Sequence, residues 1–304
     1  MRRILIYVMA VLLPVISQAQ ALPFVAADYS ASALSKAGAV ATETSSIALS
    51  AFGNVAAVPF SDKTADFSAG YTLWQPSSVV SNVIAAGGAF NLKEKLGLAL
   101  GMTYGLHPGY EIFTESGLSK GLFNPSDVQF NAGLAWRFLP FLSIGTNLGF
   151  ASSTLAEGTS YGAFVADIYL FSKFSDLKVA LGLSDLGSSV VSASEERFSL
   201  PSALTLGLGY DKKFAQVHGL DISADADYYL AGKFAVAFGA AYTYDDILRV
   251  KAGYRYGGTS VIPSYASLGL GGRIFGVCLD VAYVLPVGTS PMSNTLSFNI
   301  GYSF

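Results

Sequence analysis

The chain holds a single cysteine, Cys278, two histidines and two tryptophans among 304 residues, and only 13% of its residues are charged. Each shortage excludes something. One thiol cannot close an intramolecular disulfide or build a cysteine-rich metal site. The two histidines, His107 and His218, fall in segments expected at opposite ends of the molecule. Neither has a sequence-local serine and acid arrangement that stands out, so no catalytic site, metal site or cofactor is expected. Eighteen basic against 21 acidic residues give a net charge of -3 and no nucleic-acid partner. Beyond the first residues there is also no apolar run approaching the roughly 18 residues that a spanning helix needs.

What is present is hydrophobicity: 52% of the residues are apolar and the mean hydropathy is +0.46. In lipid only helices and closed barrels satisfy every backbone polar group. A membrane-like composition without spanning helices therefore predicts an all-β fold, a transmembrane antiparallel barrel. The N-terminus agrees with that compartment. Arg2 and Arg3 precede the short apolar run Ile4 to Ile16 and the small-residue stretch Ser17-Gln18-Ala19-Gln20-Ala21, the layout of a secretory signal. Cleavage is expected after Ala19, with Ala21 the alternative, which makes residues 1–19 the signal.

The last strand is the most legible. Leu296, Phe298, Ile300, Tyr302 and Phe304 alternate with Ser297, Asn299, Gly301 and Ser303, one greasy face and one small polar face. Phe298, Tyr302 and Phe304 are similar to the C-terminal signal of bacterial outer-membrane barrels, which ends on Phe. From Thr64 onward about fourteen such segments follow, at 64–74, 79–92, 95–106, 127–138, 141–151, 161–173, 177–186, 202–213, 218–230, 233–244, 247–256, 265–274, 276–285 and 294–304. Tight turns such as Lys93-Glu94 and Asp245-Asp246 alternate with longer connections at 107–126, 152–160, 187–201, 257–264 and 286–293. Short periplasmic turns and long outer loops produce that alternation. The loop from Tyr110 to Pro125 mixes aromatics with few charges, suited either to folding over the mouth or to an apolar patch for a partner.

Parity separates inside from outside. Arg249, Lys251, Gly253 and Arg255 share a face, as do Asp221, Ser223, Asp225 and Asp227, and cations at mid-depth cannot face lipid cheaply. Arg137, Asp167, Lys178, Arg273 and Asp280 fall on the same inward parity. The network Asp221, Asp225, Asp227, Arg249, Lys251 and Arg255 reads as a wall that neutralises itself and holds a plug, in preference to an ion or substrate path. Gly207-Leu208-Gly209 and Gly269-Leu270-Gly271 lie mid-strand with no helix after them, so they make room for a plug and are no phosphate cradle. The plug is residues 20–62, rich in Ala and Ser. Asp28 is expected to cap a helix through Leu34, and Thr44 or Ser45 another through Phe52. Residues 63–304 form the barrel.

Ala37-Gly38-Ala39-Val40-Ala41, then Ala51-Phe52-Gly53-Asn54-Val55-Ala56-Ala57-Val58-Pro59-Phe60, resembles the N-terminal region of the PorV/PorQ family, Bacteroidetes-type barrels of FadL-like architecture. Asn54 and Ala56 occupy the family's Asn-Pro-Ala turn, with Val55 replacing the proline. The resemblance implies fourteen strands around a short, partly helical plug, in the outer membrane of a Gram-negative bacterium of Bacteroidetes type. It further implies work in a type IX-like secretion or surface-assembly complex, with outer-membrane lipid and other outer-membrane or periplasmic proteins as partners. The alternative is a FadL-like transporter, whose partner is a hydrophobic small molecule.

Overall fold

The computed structural model describes residues 20–74, 80–192, 195–257, 263–286, 290 and 292–304. The expected signal at 1–19 and parts of four outer connections lie outside the described residues. The strands are β1 (Ala65–Trp74), β2 (Ser81–Leu92), β3 (Leu96–Leu106), β4 (Tyr110–Phe113), β5 (Ser119–Phe123), β6 (Ser126–Leu139), β7 (Leu142–Ala156), β8 (Thr159–Phe174) and β9 (Leu177–Gly187). They continue as β10 (Val190–Val191), β11 (Arg197–Phe198), β12 (Ala203–Phe214), β13 (His218–Tyr229), β14 (Lys233–Tyr244), β15 (Leu248–Gly257), β16 (Tyr265–Ile274), β17 (Val277–Pro286) and β18 (Leu296–Ser303). Fourteen of them close an antiparallel barrel, each beside its sequence neighbour, while β4–β5 and β10–β11 are small ladders in two outer loops.

The barrel closes where β18 pairs with β1, from Asp66 opposite Ser303 to Leu73 opposite Leu296. The last residue belongs to that seam. Phe304 O accepts from Thr64 N at 2.7 Å and Ala65 N at 2.9 Å, and Phe304 N donates to Ala65 O at 3.0 Å. Its ring is exposed beside Tyr302, centroids 5.9 Å apart. Deleting Phe304 therefore removes both a lipid-interface aromatic and the lock on the seam. The heat-modifiable, folded fraction should fall severalfold on gels, while Ser303→Thr on the lumen face should leave it near wild type; equal tolerance of both changes would contradict this role.

Strand ends agree with the alternation to within two residues, except at one hairpin. β7 runs on to Ala156 and β8 begins at Thr159, so 152–160 is a tight turn and not a long outer loop. The serines and threonines there read as loop, yet they pair as ladder, Ser153 with Tyr161 and Thr154 with Ser160. A hairpin that rises past the bilayer needs no apolar face, which removes the signal used to find it. Gly158, at φ +71°, makes the turn.

Alternation along each strand leaves Leu100, Phe130, Leu148, Phe164, Leu208, Phe238, Leu270 and Ile300 exposed on the outer wall. So large an apolar surface is at home only in lipid. The core lies inside, between the lumen wall and the N-terminal segment. Spacing of about 4.8 Å between strands tilted by about 40° gives fourteen strands a backbone diameter of roughly 28 Å. Alanines and glycines on the wall cannot fill that width, so the segment from Leu22 to Ser61 does. Leu22, Phe24 and Val25 pack on Ala151, Ala163, Val165 and Leu200. Ala31, Leu34 and Ala37 pack on Tyr265, Ala282 and Val284. Ile47, Ala51, Val55 and Val58 pack on Ala89, Ala99 and Ala135. Full burial of a Leu, Ile or Val side chain is worth about 1.5–3 kcal/mol.

The plug is irregular: a five-residue helix α1 (Ala31–Ser35) and three 3-10 turns. Two capping expectations are corrected. Ser30, not Asp28, caps α1, its Oγ accepting from Ala33 N at 3.4 Å. No helix begins at Thr44 or Ser45; only the 3-10 turn Ser50–Phe52 forms, without a side-chain cap. Tertiary contacts override so short a helical signal. The capping side chain of this region is Asn54, whose Oδ1 accepts from Ala56 N at 2.9 Å to open the turn Val55–Phe60.

Candidate functional site

A buried segment with little secondary structure leaves its own N–H and C=O groups to be satisfied from elsewhere. Inward-facing side chains of the wall supply them. Asp225 Oδ2 accepts from Ala41 N at 2.7 Å, Ser223 Oγ donates to Ala39 O at 2.7 Å, and Asn299 Oδ1 accepts from Ala31 N at 2.8 Å. Asn131 Nδ2 donates to Ala51 O at 2.9 Å, Asn147 Nδ2 to Gly53 O at 2.6 Å, and Ser143 Oγ to Ala56 O at 2.5 Å. Asp66 takes both Ile47 N and Ala48 N. Asn54 joins two passes of the plug, its Nδ2 donating to Ala41 O at 2.7 Å.

Ion pairs fix the plug more strongly. Lys36, at the C-terminal end of α1, is 1% exposed. It fits because the wall opposite is glycine: a Cβ at Gly239 would lie 2.8 Å from Lys36 Cβ, and one at Gly253 would meet the Lys36 backbone. Its Nζ lies 2.6 Å from Asp221 Oδ1 and 3.1 Å from Glu43 Oε2. Lys178 reaches the other oxygen of Asp221 at 3.1 Å. Burial alone would raise the Glu43 carboxyl, but Lys36, Lys178 and the Ser45 hydroxyl outweigh it and hold it well below the usual carboxylate range. Burial would lower the Lys36 ammonium, and its two carboxylates reverse that and raise it.

The six network residues expected from parity all line the lumen side, but they do not act as one group. Arg255 spans two strands to Asp227 at 2.7 Å and touches the Tyr229 hydroxyl at 3.1 Å. Lys251 turns the other way, to Asp280 at 2.9 Å and to Ser32 of the plug at 2.8 Å. Asp221 and Asp225 hold the plug as described. Arg249 does not anchor it, which corrects the sequence reading. Level with Arg249, through Gly271, sits Asp280, and Lys251 has taken that acid. Among the described residues Arg249 Nε is buried without a hydrogen-bond partner. Three of the four glycines singled out lie against the plug: Gly207 at Ala41, Gly209 at Thr42 and Gly269 at Ser35. Gly271 faces Asp280 instead.

Above the plug the barrel opens into a mouth cavity of about 890 Å³. Phe24 and Tyr29 of the plug and Trp74, Val83, Tyr161 and Met292 give it an apolar lining. Asp28, His107, Asp127 and Arg255 add a few polar groups. Burial raises the Asp28 carboxyl above its ordinary range, and the nearby Arg255 guanidinium pulls it back. A second cavity, of about 90 Å³, lies beside Tyr29 and Phe52 against Ala85, Thr103 and Gln129. Close to it the wall is thin. Gly87 pairs with Gly101, a Cβ at Gly87 would lie 2.8 Å from Leu49 Cδ2, and Gly101 abuts the Phe52 ring. Outside the same strands, Ala86, Gly88, Leu100, Met102, Phe130 and Leu148 form a lipid-side groove of about 510 Å³. Composition could not reveal these cavities; the one available signal was large apolar residues on inward parity, such as Trp74 and Val83.

No family model matches the chain, and no curated protein does. Solved structures do, across nearly the whole barrel and at low identity. The chain is similar to the Pseudomonas putida toluene transporter TodX (14% identity, 91% of this chain and 98% of that one, TM-score 0.61). It is similar to the Ralstonia pickettii toluene transporter TbuX (10%, 90% and 97%, TM-score 0.60) and to a Pseudomonas aeruginosa FadL homologue (12%, 90% and 98%, TM-score 0.55). At such identities the likeness is one of fold: a closed fourteen-stranded antiparallel barrel, with FadL-type outer-membrane barrels as its structural neighbours.

Proposed function

We propose that this barrel admits hydrophobic small molecules through the outer membrane of a Gram-negative bacterium. One observation carries the reading: an apolar mouth cavity leads down to a plug that seals a thin, glycine-paired stretch of wall with a greasy groove on its far side. A solute entering at the mouth passes beside Tyr29 and reaches the Gly87–Gly101 stretch once Leu49 and Phe52 move aside, and its exit there requires the β2–β3 ladder to part locally. It never needs to cross the charged lower lumen. Toluene transporters among the structural neighbours support this choice. The order expected from the sequence is thereby reversed, and the PorV/PorQ-type export role stands second. Only the short segments Ala37–Ala41 and Ala51–Phe60 support it, and Asn54 within them has a sufficient local role as a turn cap.

The two tryptophans provide the test. Trp74 lines the mouth, whereas Trp136 is exposed on the lipid face. In Trp136→Phe protein a brominated monoaromatic or brominated fatty acid should quench Trp74 saturably, and cells carrying the barrel should accumulate the same compound faster than cells without it. Quenching that grows linearly with concentration, or saturable quenching without uptake, would overturn the conduit.

A further inference from the structure

No serine and acid arrangement stands out around either histidine in the sequence, but the fold brings one of each to His107. The ladder of β2 and β3 ends at Asn82 opposite Leu106, which brings Ser81 and His107 together one step beyond it. Asp127 on β6 lies opposite Gly105, diagonal to His107. Ser81 Oγ is 2.9 Å from His107 Nδ1, and Asp127 Oδ2 is 2.7 Å from His107 Nε2. Gly105 is the floor beneath the ring, where a Cβ would lie 3.7 Å from Nε2. The His107 backbone is tied on both sides: its N donates to Pro125 O at 2.9 Å and its O accepts from Asn124 Nδ2 at 3.3 Å. All three side chains line the mouth cavity.

Nucleophile, base and orienting acid are thus in hydrogen-bond series, the arrangement by which a serine becomes reactive. Asp127, acceptor only, fixes the imidazole proton on Nε2. The Nδ1 lone pair is then left for the Ser81 hydroxyl. We propose that Ser81 is an activated nucleophile that takes the acyl group of carboxylic esters with an apolar acyl chain. Ser81 Oγ adds to the ester carbonyl carbon as its proton passes to Nδ1. The C–O bond to the alcohol then breaks, and Nδ1–H protonates the departing alkoxide. Water attacks the acyl-Ser81, gives one proton to Nδ1, and releases the carboxylic acid as Ser81 regains its proton. One ester and one water yield one acid and one alcohol, with no further reactant. The acyl chain has its place among Trp74, Val83 and Phe24 on the same cavity wall.

A fluorophosphonate probe tests this on the full barrel in detergent. Phosphonylation should map by mass spectrometry to Ser81 and be absent in Ser81→Ala. Removing a general base costs about 10²–10⁴ in rate, so His107→Asn should slow labelling at least ~100-fold. The isosteric Asp127→Asn should also slow it, and His218→Asn, at the opposite rim, should not. Each variant is first shown by heat-modifiability to be a folded barrel, and p-nitrophenyl ester turnover should follow the same order. No labelling of the wild type, labelling at another serine, or a rate untouched by His107→Asn would overturn the proposal and leave a structural hydrogen-bond network.

Discussion

Removing residues Asp28 to Phe52 should convert a closed barrel into an open pore. In planar bilayers, conductance should rise from near zero for the intact protein to a steady, porin-like level. The barrel itself should survive, because its ladder hydrogen bonds run strand to strand and its outer face keeps its lipid contacts. The wall groups that lose plug partners, Asp225, Ser223, Asn131 and Asn299 among them, would meet water in a lumen roughly 28 Å across at the backbone, so they would not be left dry and unpaired. The pore forms because the wall cannot close it: where the plug runs, the wall presents Gly207, Gly209, Gly239, Gly253 and Gly269. A deletion that folds and stays electrically silent would mean the outer loops make the seal. Porin-like current from the intact protein would mean there is no seal at all, and a general diffusion pore would replace both functional readings.

Lys36→Met should loosen the plug more than any other single substitution in it. The side chain is almost wholly buried, and its loss strands Glu43, 3.1 Å away, while Asp221, 2.6 Å away, keeps only Lys178 at 3.1 Å. Breaking a buried pair on one side costs about 3–5 kcal/mol, mostly through the charge left behind. That would raise the unseated fraction of the plug by roughly two to four orders of magnitude if the whole cost falls on seating. The expected signature is flickering current in bilayers and faster proteolysis near Ser46, with barrel heat-modifiability unchanged. Adding Glu43→Gln should recover part of the seal, since one stranded charge is gone, whereas Arg249→Ala should do nothing to it. Acid provides a second check. The Glu43 carboxyl is held low when the plug is seated, so its contribution is present above the ordinary carboxylate value near 4.5 and is lost as pH falls through the lower seated value. Flicker in the wild type should therefore appear only in strong acid, and flicker beginning near neutral pH would contradict the pairing.

The strands were readable because a barrel wall writes its environment into the chain one residue at a time. Lipid on one side and a confined polar lumen on the other impose a two-residue period, so Leu296 to Phe304 or Leu248 to Tyr256 declares strand, inside and outside together. The hairpin at 152–160 shows the limit of that signal, since a ladder that leaves the bilayer loses the apolar half of the pattern. Charge sign and parity likewise placed Asp221, Asp225, Asp227, Lys251 and Arg255 in the lumen. They could not say which partner each would take, because Lys36 lies 185 residues from Asp221 in the chain and is within reach only when the plug threads the barrel. The same reason hid the plug's anchors, Asn131, Asn147 and Asn299, which look like ordinary small polar wall residues until a backbone group arrives to be satisfied. It also hid the series Ser81, His107 and Asp127, and the apolar mouth beside them. Periodicity is local and is carried by the sequence alone; cavities and side-chain constellations depend on strand register and on how a segment without a repeat settles among fourteen strands, and only the closed tertiary structure decides those.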